Sequence, residues 1–536
     1  KSFGFAYEFR EKRSARVVAT ATSVMVCYDY DARTSFPMPD ELRRKLERFF
    51  GVPMIVIADG GFYTQTKHGS LTTGVQRDPT LPYGNCAQCH IGHGQNPQDF
   101  GLWTNNDNNL CFTCHSNSSG SYFGQTTYSM SGHSASAASF NGRQVGRCVQ
   151  CHNPHGAGDM RGLYPNLAAN LEEQVCFTCH GTGFKPQGAL DIQTQASKRY
   201  AHAVTNFQRL HNDTAEFGSV GVNPNPLLSG ASRHVECADC HDTHYSRTTP
   251  RSARSSNIGE MMLGSWGVRP NFSGTAWLAP TSYVIERFQN TSTEYECYLC
   301  FKCHSNWSWG SSAPYTADGV IETNSALEFS PANPAYHNVT GQPSSMGPTD
   351  DVVYGTANPP AYINQWGPNS AMACTDCHAG DPSSGNARGA HGSNFSFMLK
   401  KRFKAQAGAA DNTGRSGTQS DLCFDCHDWN TYGEGGNGSA TNFRKQSDNL
   451  HRMSEHARAG CFQCHSAVPH GFKRKHMIVY VTDGTPYYQS DPINYSLKKG
   501  GIQAYAPANG GAYTENNCKA GCHDGHQQAN PPSPAP

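Results

Sequence analysis

The 536 residues are only 37% hydrophobic and rich in Gly, Ser, Asn and Pro, a poor composition for one large apolar core. The 42 basic and 42 acidic residues cancel, and basic runs such as Lys400-Lys401-Arg402 are short and read as solvated or as cover for anionic groups, so nucleic-acid binding is not supported. The longest apolar run near the start, Arg16 to Tyr30, is broken by Thr and Ser and too short to cross a bilayer, so a soluble, mature chain is expected.

Residues 1–70 read as a small α/β cap. Val17 to Tyr28 is rich in β-branched residues and predicts a strand. Pro39 to Phe50 carries Leu42, Leu46, Phe49 and Phe50, with Asp40 and Glu41 in its first turn, and predicts a helix ending before Gly51. Pro53 to Ala58 predicts a second strand. Packing and subunit contact are both open as roles for this cap.

From residue 86 a five-residue unit, Cys-x-x-Cys-His, recurs nine times. Its members are Cys86, Cys89 and His90; Cys111, Cys114 and His115; Cys148, Cys151 and His152; Cys176, Cys179 and His180; Cys237, Cys240 and His241; Cys300, Cys303 and His304; Cys374, Cys377 and His378; Cys423, Cys426 and His427; and Cys461, Cys464 and His465. A tenth unit, Cys518, Cys522 and His523, has one extra residue between its cysteines. The units fall into five pairs, at about 86–115, 148–180, 237–304, 374–427 and 461–523. First members read CAQCH, CVQCH, CADCH, CTDCH and CFQCH; second members read CFTCH, CFTCH, CFKCH, CFDCH and the longer CKAGCH. Polar inserts at 245–296, 304–373 and 466–517 predict surface loops and short hairpins, with Val479–Val481 and Tyr487–Tyr488 as strand pieces. The Pro-rich tail, 527–536, would lie on its own chain or on a neighbouring subunit if ordered.

Two thiols three apart can form thioethers to the two vinyl groups of one porphyrin, and the His that follows can reach the iron. Zinc or thioredoxin chemistry gives no reason for His at that place every time. Ten covalently attached c-type haems are therefore expected, and with them roughly −10 charges when oxidised and −20 when reduced. Each porphyrin would supply the apolar surface that the composition lacks, and each pair of thioethers would staple the chain. The expected fold is mostly irregular coil with short helices wrapped around a chain of haems, residues 71–526, behind the haem-free cap. Haem of this type is attached outside the cytoplasm, so an exported protein is implied, extracellular or at the cell surface, with the periplasm second.

Ten irons need ten proximal and up to ten distal ligands. Of 25 histidines, ten follow the second cysteines. Each pair has one free His before its first unit and one shortly after it: His68 and His93, His133 and His155, His234 and His244, His337 and His391, His456 and His470. In the fourth pair the place three residues after the motif His is taken by Asp381. His202, His211, His451, His476 and His526 are held in reserve; His526 has no later haem in this chain to serve. The sixth unit offers three cysteines, and the standard spacing selects Cys300 and Cys303. Cys297 can pair with Cys27 or stay reduced.

The chain resembles the paired-CxxCH multihaem c-type cytochromes, among them subunits of extracellular cytochrome filaments. The resemblance implies bis-histidine haems in closely stacked pairs, and in some members a His supplied by the next subunit. It implies electron conduction with other copies of the chain, redox partners or mineral acceptors as partners, and no catalytic residues. A monomeric surface reductase, or a reductase of a small inorganic substrate, is the alternative; it would need an iron with an open position.

Overall fold

A computed structural model describes residues 66–90, 102–116, 124–134, 146–156, 171–183, 188–206, 234–315, 320–341, 362–367, 370–403, 419–433, 448–452 and 461–488, with shorter pieces at 28–29, 34–35, 63, 139–140, 143–144, 163, 186, 443–445, 502–505 and 518–520. Regular structure comes in short pieces. Among the described residues the longest helix is Glu172–His180 and the longest strands are Trp266–Pro270 and Tyr283–Arg287. Among the described residues seven two-stranded sheets, all antiparallel, account for the strands. Frequent Gly, Pro, Ser and Asn stop each element before it can propagate. The expected mostly irregular chain with short helices is what the structure has. The predicted cap elements lie outside the described residues, apart from Tyr28–Asp29, which pairs with Thr34–Ser35. The tail, His523 and His526 also lie outside them.

The chain divides into two compact units, one ending at Cys179 and the other beginning at His180, with two short exchanges at Lys185–Gln187 and Gln208–Leu210. Among the described residues of the first unit, polar side chains tie the loops together. Buried Gln88 accepts from the Asp78 N–H at 2.7 Å and donates to the Asp78 carbonyl at 3.0 Å, closing the loop before the first motif. Asn108 donates to the Gly146 carbonyl at 2.8 Å and accepts from the Cys148 N–H at 2.9 Å, so it joins the helix Asn108–Phe112 to the start of the third motif. Tyr128 donates to the same carbonyl.

The second unit holds the apolar core. Trp266–Pro270 and Tyr283–Arg287 form a hairpin against the helix Glu296–Phe301, burying Val268, Phe288, Cys297 and Phe301 together with Ile258, Ala326 and Trp307. Gly267 permits the close approach: a Cβ there would lie 2.4 Å from the Phe288 ring and 2.9 Å from the Tyr298 backbone. The insert 245–296 is thus not a surface loop throughout, because its few large apolar residues converge on the sixth motif. Cys297 is a free, fully buried thiol, and burial raises its pKa. Val479–Val481 is not a strand. Asp483 accepts from the Tyr480 N–H and holds Arg474 through a two-bond fork, which turns the chain into the one-turn helix Val481–Asp483.

Candidate cofactor sites

In eight motifs a helical turn closes on the motif His, whose N–H donates to the carbonyl of the first Cys at 2.8–3.0 Å; the fourth motif ends the helix Glu172–His180, and the tenth opens on the strand Cys518–Ala520, paired with Ile502–Tyr505. Residues i, i+3 and i+4 share one helix face, so one turn sets two thiols and an imidazole side by side. The fifth and seventh motifs are closed by the Asp before the second Cys: Asp239 accepts from the Glu236 N–H at 2.7 Å, and Asp376 from the Ala373 N–H at 2.9 Å. The second, fourth, sixth and eighth motifs place a Phe after the first Cys; Phe177, Phe301 and Phe424 are buried.

Within each unit successive motifs touch. Cys111 shares a side-chain hydrogen bond with Cys148, and Cys300 with Cys374. Burial first, and then a neighbouring thiol, raises the pKa of Cys89 beside Cys114 and of Cys151 beside Cys179, the latter to about 11. The same two causes raise Cys377 beside Cys426 to about 12, and push up Cys423 beside Cys461. Cys240 is raised to about 12 by burial, with Cys300 also adding and Lys302 opposing. Glu296 fastens the sixth motif to the seventh: its two carboxylate oxygens accept from the Thr375 N–H and hydroxyl, each at 2.9 Å. Within each unit the motifs therefore lie in chain order.

Each of six motif imidazoles faces a second imidazole. In the first unit the ring centroids of His115 and His68 are 5.9 Å apart, and those of His90 and His155 are also 5.9 Å apart. In the second unit the separations are 6.1 Å for His241 and His391, 6.3 Å for His304 and His202, 5.9 Å for His378 and His470, and 6.4 Å for His465 and His451. A ring nitrogen lies about 2 Å from a metal it ligates, so two imidazoles on opposite sides of one metal have centroids roughly 6 Å apart. The observed rings stand at that separation.

The Nδ1 atoms add to the fit. Backbone carbonyls lie beside Nδ1 of His180 (Leu190, 3.2 Å), His241 (Met261, 2.9 Å), His378 (Phe397, 2.8 Å), His465 (His476, 2.7 Å) and His202 (Ala390, 2.8 Å). A carbonyl only accepts, so the proton sits on Nδ1 and Nε2 keeps its lone pair for a metal. Burial, then His470, holds His378 down at about 4; burial, then His241, His202 and His180, holds His391 at about 3. Both rings are neutral at pH 7, the form that ligates. These residues fit a haem attached through the paired thiols.

The structure thus brings His68, His155, His391 and His470 opposite motif histidines, and it does the same for His202 and His451 from the reserve. His337 points Nδ1 at the Pro469 carbonyl. His244 lies 3.7 Å from Asp242. His133 is exposed on the turn after the helix Gln125–Met130. His234, Glu236 and Asp239 bring ligand atoms within 4.8 Å of one another, but Asp239 is engaged by Lys302 and by the Glu236 N–H. His476 lends its carbonyl to His465 and has a φ of 54°. His93, His211 and His456 lie outside the described residues. A signal for His202 was present in the sequence: His202-Ala203-Val204-Thr205 repeats as His337-Asn338-Val339-Thr340.

No helix among the described residues is long and apolar enough to cross a membrane. No curated protein and no solved structure matches the chain. The family model described as a doubled CXXCH motif matches residues 81–120, 142–184 and 367–431, which are the first, second and fourth pairs. Paired CXXCH motifs of this kind indicate covalently bound c-type haems and point to a multihaem cytochrome involved in electron transfer.

Proposed function

We propose that the protein is a decahaem c-type cytochrome that conducts electrons through closely spaced bis-histidine haems, and that it does so outside the cytoplasm as a subunit of a filament of identical chains. When bound, the haems supply reversible one-electron chemistry. The paired thiols would fix each porphyrin, the motif His and its facing His would hold the iron, and the carbonyls on Nδ1 would orient the rings. The axial pairs in this reading are His68 with His115, His90 with His155, His202 with His304, His241 with His391, His378 with His470, and His451 with His465. At these six irons both axial positions would be taken by protein, leaving none for a substrate there, which favours relay over bond chemistry.

The observation that carries this reading is the set of facing imidazoles at about 6 Å, each joining a motif His to a His from elsewhere in the chain. Contact between successive motifs supports a path that follows chain order within each unit. Mass spectrometry of the intact protein should find ten haem adducts, and its oxidised spin-resonance spectrum should be entirely low-spin. Fewer adducts, or a substantial high-spin component, would contradict the reading. Electron micrographs of the purified protein at rising concentration test the assembly: regular fibres are expected, and dispersed particles throughout would remove the filament.

A further inference from the structure

We propose that Glu328 tunes one redox centre: its carboxylate lowers the potential of the iron held between His378 and His470 below the value it would have with a neutral partner on His470. This rests on the haem reading above. Glu328 ends the one-turn helix Ser325–Glu328, whose N-cap is Asn324, and its residue is fully buried. Oε2 accepts from His470 Nδ1 at 2.6 Å, and Oε1 accepts from the Tyr487 hydroxyl at 2.9 Å. The Phe329 ring lies against the His470 ring with centroids 4.7 Å apart and keeps water from that side.

The contrast with the other sites makes the case. Nδ1 of His202, His241, His378 and His465 faces a neutral backbone carbonyl. His304 lies 3.3 Å from Glu322, a looser approach than the 2.6 Å between His470 and Glu328. His470 donates Nδ1–H to a carboxylate that water does not reach. A carboxylate on the far nitrogen raises the basicity of a ligating imidazole and favours the more positive metal state. Burial strengthens the effect, because charge acts further where the dielectric is low.

Tyr487 supplies a control of opposite sign. Its hydroxyl draws on the same carboxylate, so removing it leaves more charge for His470. Wild type, Glu328→Gln and Tyr487→Phe are compared by optical redox titration of the loaded protein, with haem adducts mapped by peptide mass spectrometry. In Glu328→Gln one midpoint should move positive; in Tyr487→Phe the same midpoint should move negative. One low-spin component of the oxidised spin-resonance spectrum should change g values with them. Shifts of the same sign, or none, with all haems in place overturn the role of Glu328. A wild-type protein without haem on Cys374 and Cys377 overturns the reading beneath it. Should Glu328→Gln fail to fold, the direction of the Tyr487→Phe shift decides.

Discussion

Gly471 lies so close to Glu328 that a Cβ there would stand 2.0 Å from the Glu328 carbonyl oxygen. Gly392 has the same relation to the Gln195 carbonyl, also at 2.0 Å. Each glycine follows a facing histidine and opens a two-residue strand: Gly471 pairs with Tyr336, just before His337, and Gly392 with Ala201, just before His202. A methyl group at either place must push the neighbouring backbones apart. Gly471→Ala and Gly392→Ala should each destabilise the protein by about 1–3 kcal/mol. Each should also add a high-spin haem component, because the preceding ring is carried off its axis. Thermal unfolding followed in the visible spectrum measures both; unchanged melting would count against the close contact.

The same repeat assigns a ligand that no facing pair displays. His202 and His337 occupy matching places, each with Nδ1 on the carbonyl of the residue before the paired histidine, Ala390 or Pro469. In the first copy His391 faces the fifth motif and His202 the sixth. In the second, His470 faces the seventh. His337 is therefore expected to serve the eighth, whose ligand is His427. His337→Ala should convert one haem to high spin. Combining it with Cys423→Ala and Cys426→Ala, which removes that haem, should abolish the new signal. A signal that survives in the combined variant would place His337 on another iron.

The attachment motifs were legible because their chemistry is local: thiols and imidazole must share one helical turn, and the spacing is written in consecutive residues. The irregular fold was legible from composition for a related reason, since Gly, Pro, Ser and Asn end elements wherever they recur. The facing histidines were only partly legible. His202 reaches His304 through the two-residue strand Tyr200–Ala201 on Gly392–Ser393, and so short a strand has no periodicity to read. The core hairpin was hidden in the same way. Val268 and Phe288 look isolated in a polar insert and gain meaning only against Phe301. Asp381 marked a break in the repeat, but its role depends on Lys198, which is remote in sequence.

That role gives a pH prediction. Asp381 stands where the first members of the first three pairs carry His, and it accepts from Lys198 at 3.1 Å, from the Ser383 N–H and hydroxyl, and from the Asn394 N–H. Burial alone would raise its pKa; the Ser383, Asn394 and Lys198 bonds outweigh burial and lower it to about 2. A depressed folded value means stability that is full above the unfolded pKa of about 3.9 and is lost as pH falls toward 2. Asp381→Asn should cost on the order of 1–2 kcal/mol above pH ~5, and the difference from wild type should vanish near pH 2. Denaturant unfolding across that range is the measurement. A difference that stays constant with pH would show that the charge is not what matters.

Lys302 and Asp239 are the second variable residues of the sixth and fifth motifs, and each side chain is only 3% exposed. Nζ lies 3.4 Å from the carboxylate and also donates to the Asp239 carbonyl. Removing Lys302 would leave a buried carboxylate without its countercharge, so Lys302→Met should cost about 3–5 kcal/mol. Pairing it with Asp239→Asn should recover much of that loss, because the stranded charge is gone and the amide oxygen can still accept from the Glu236 N–H. Lys401 and Asp425 form the comparison: both are about one-third exposed, and Lys401→Met should cost less than about 1 kcal/mol. Denaturation midpoints of these variants order the effects. If Lys302→Met proved as mild as Lys401→Met, the buried pair would not be what holds the fifth and sixth motifs together.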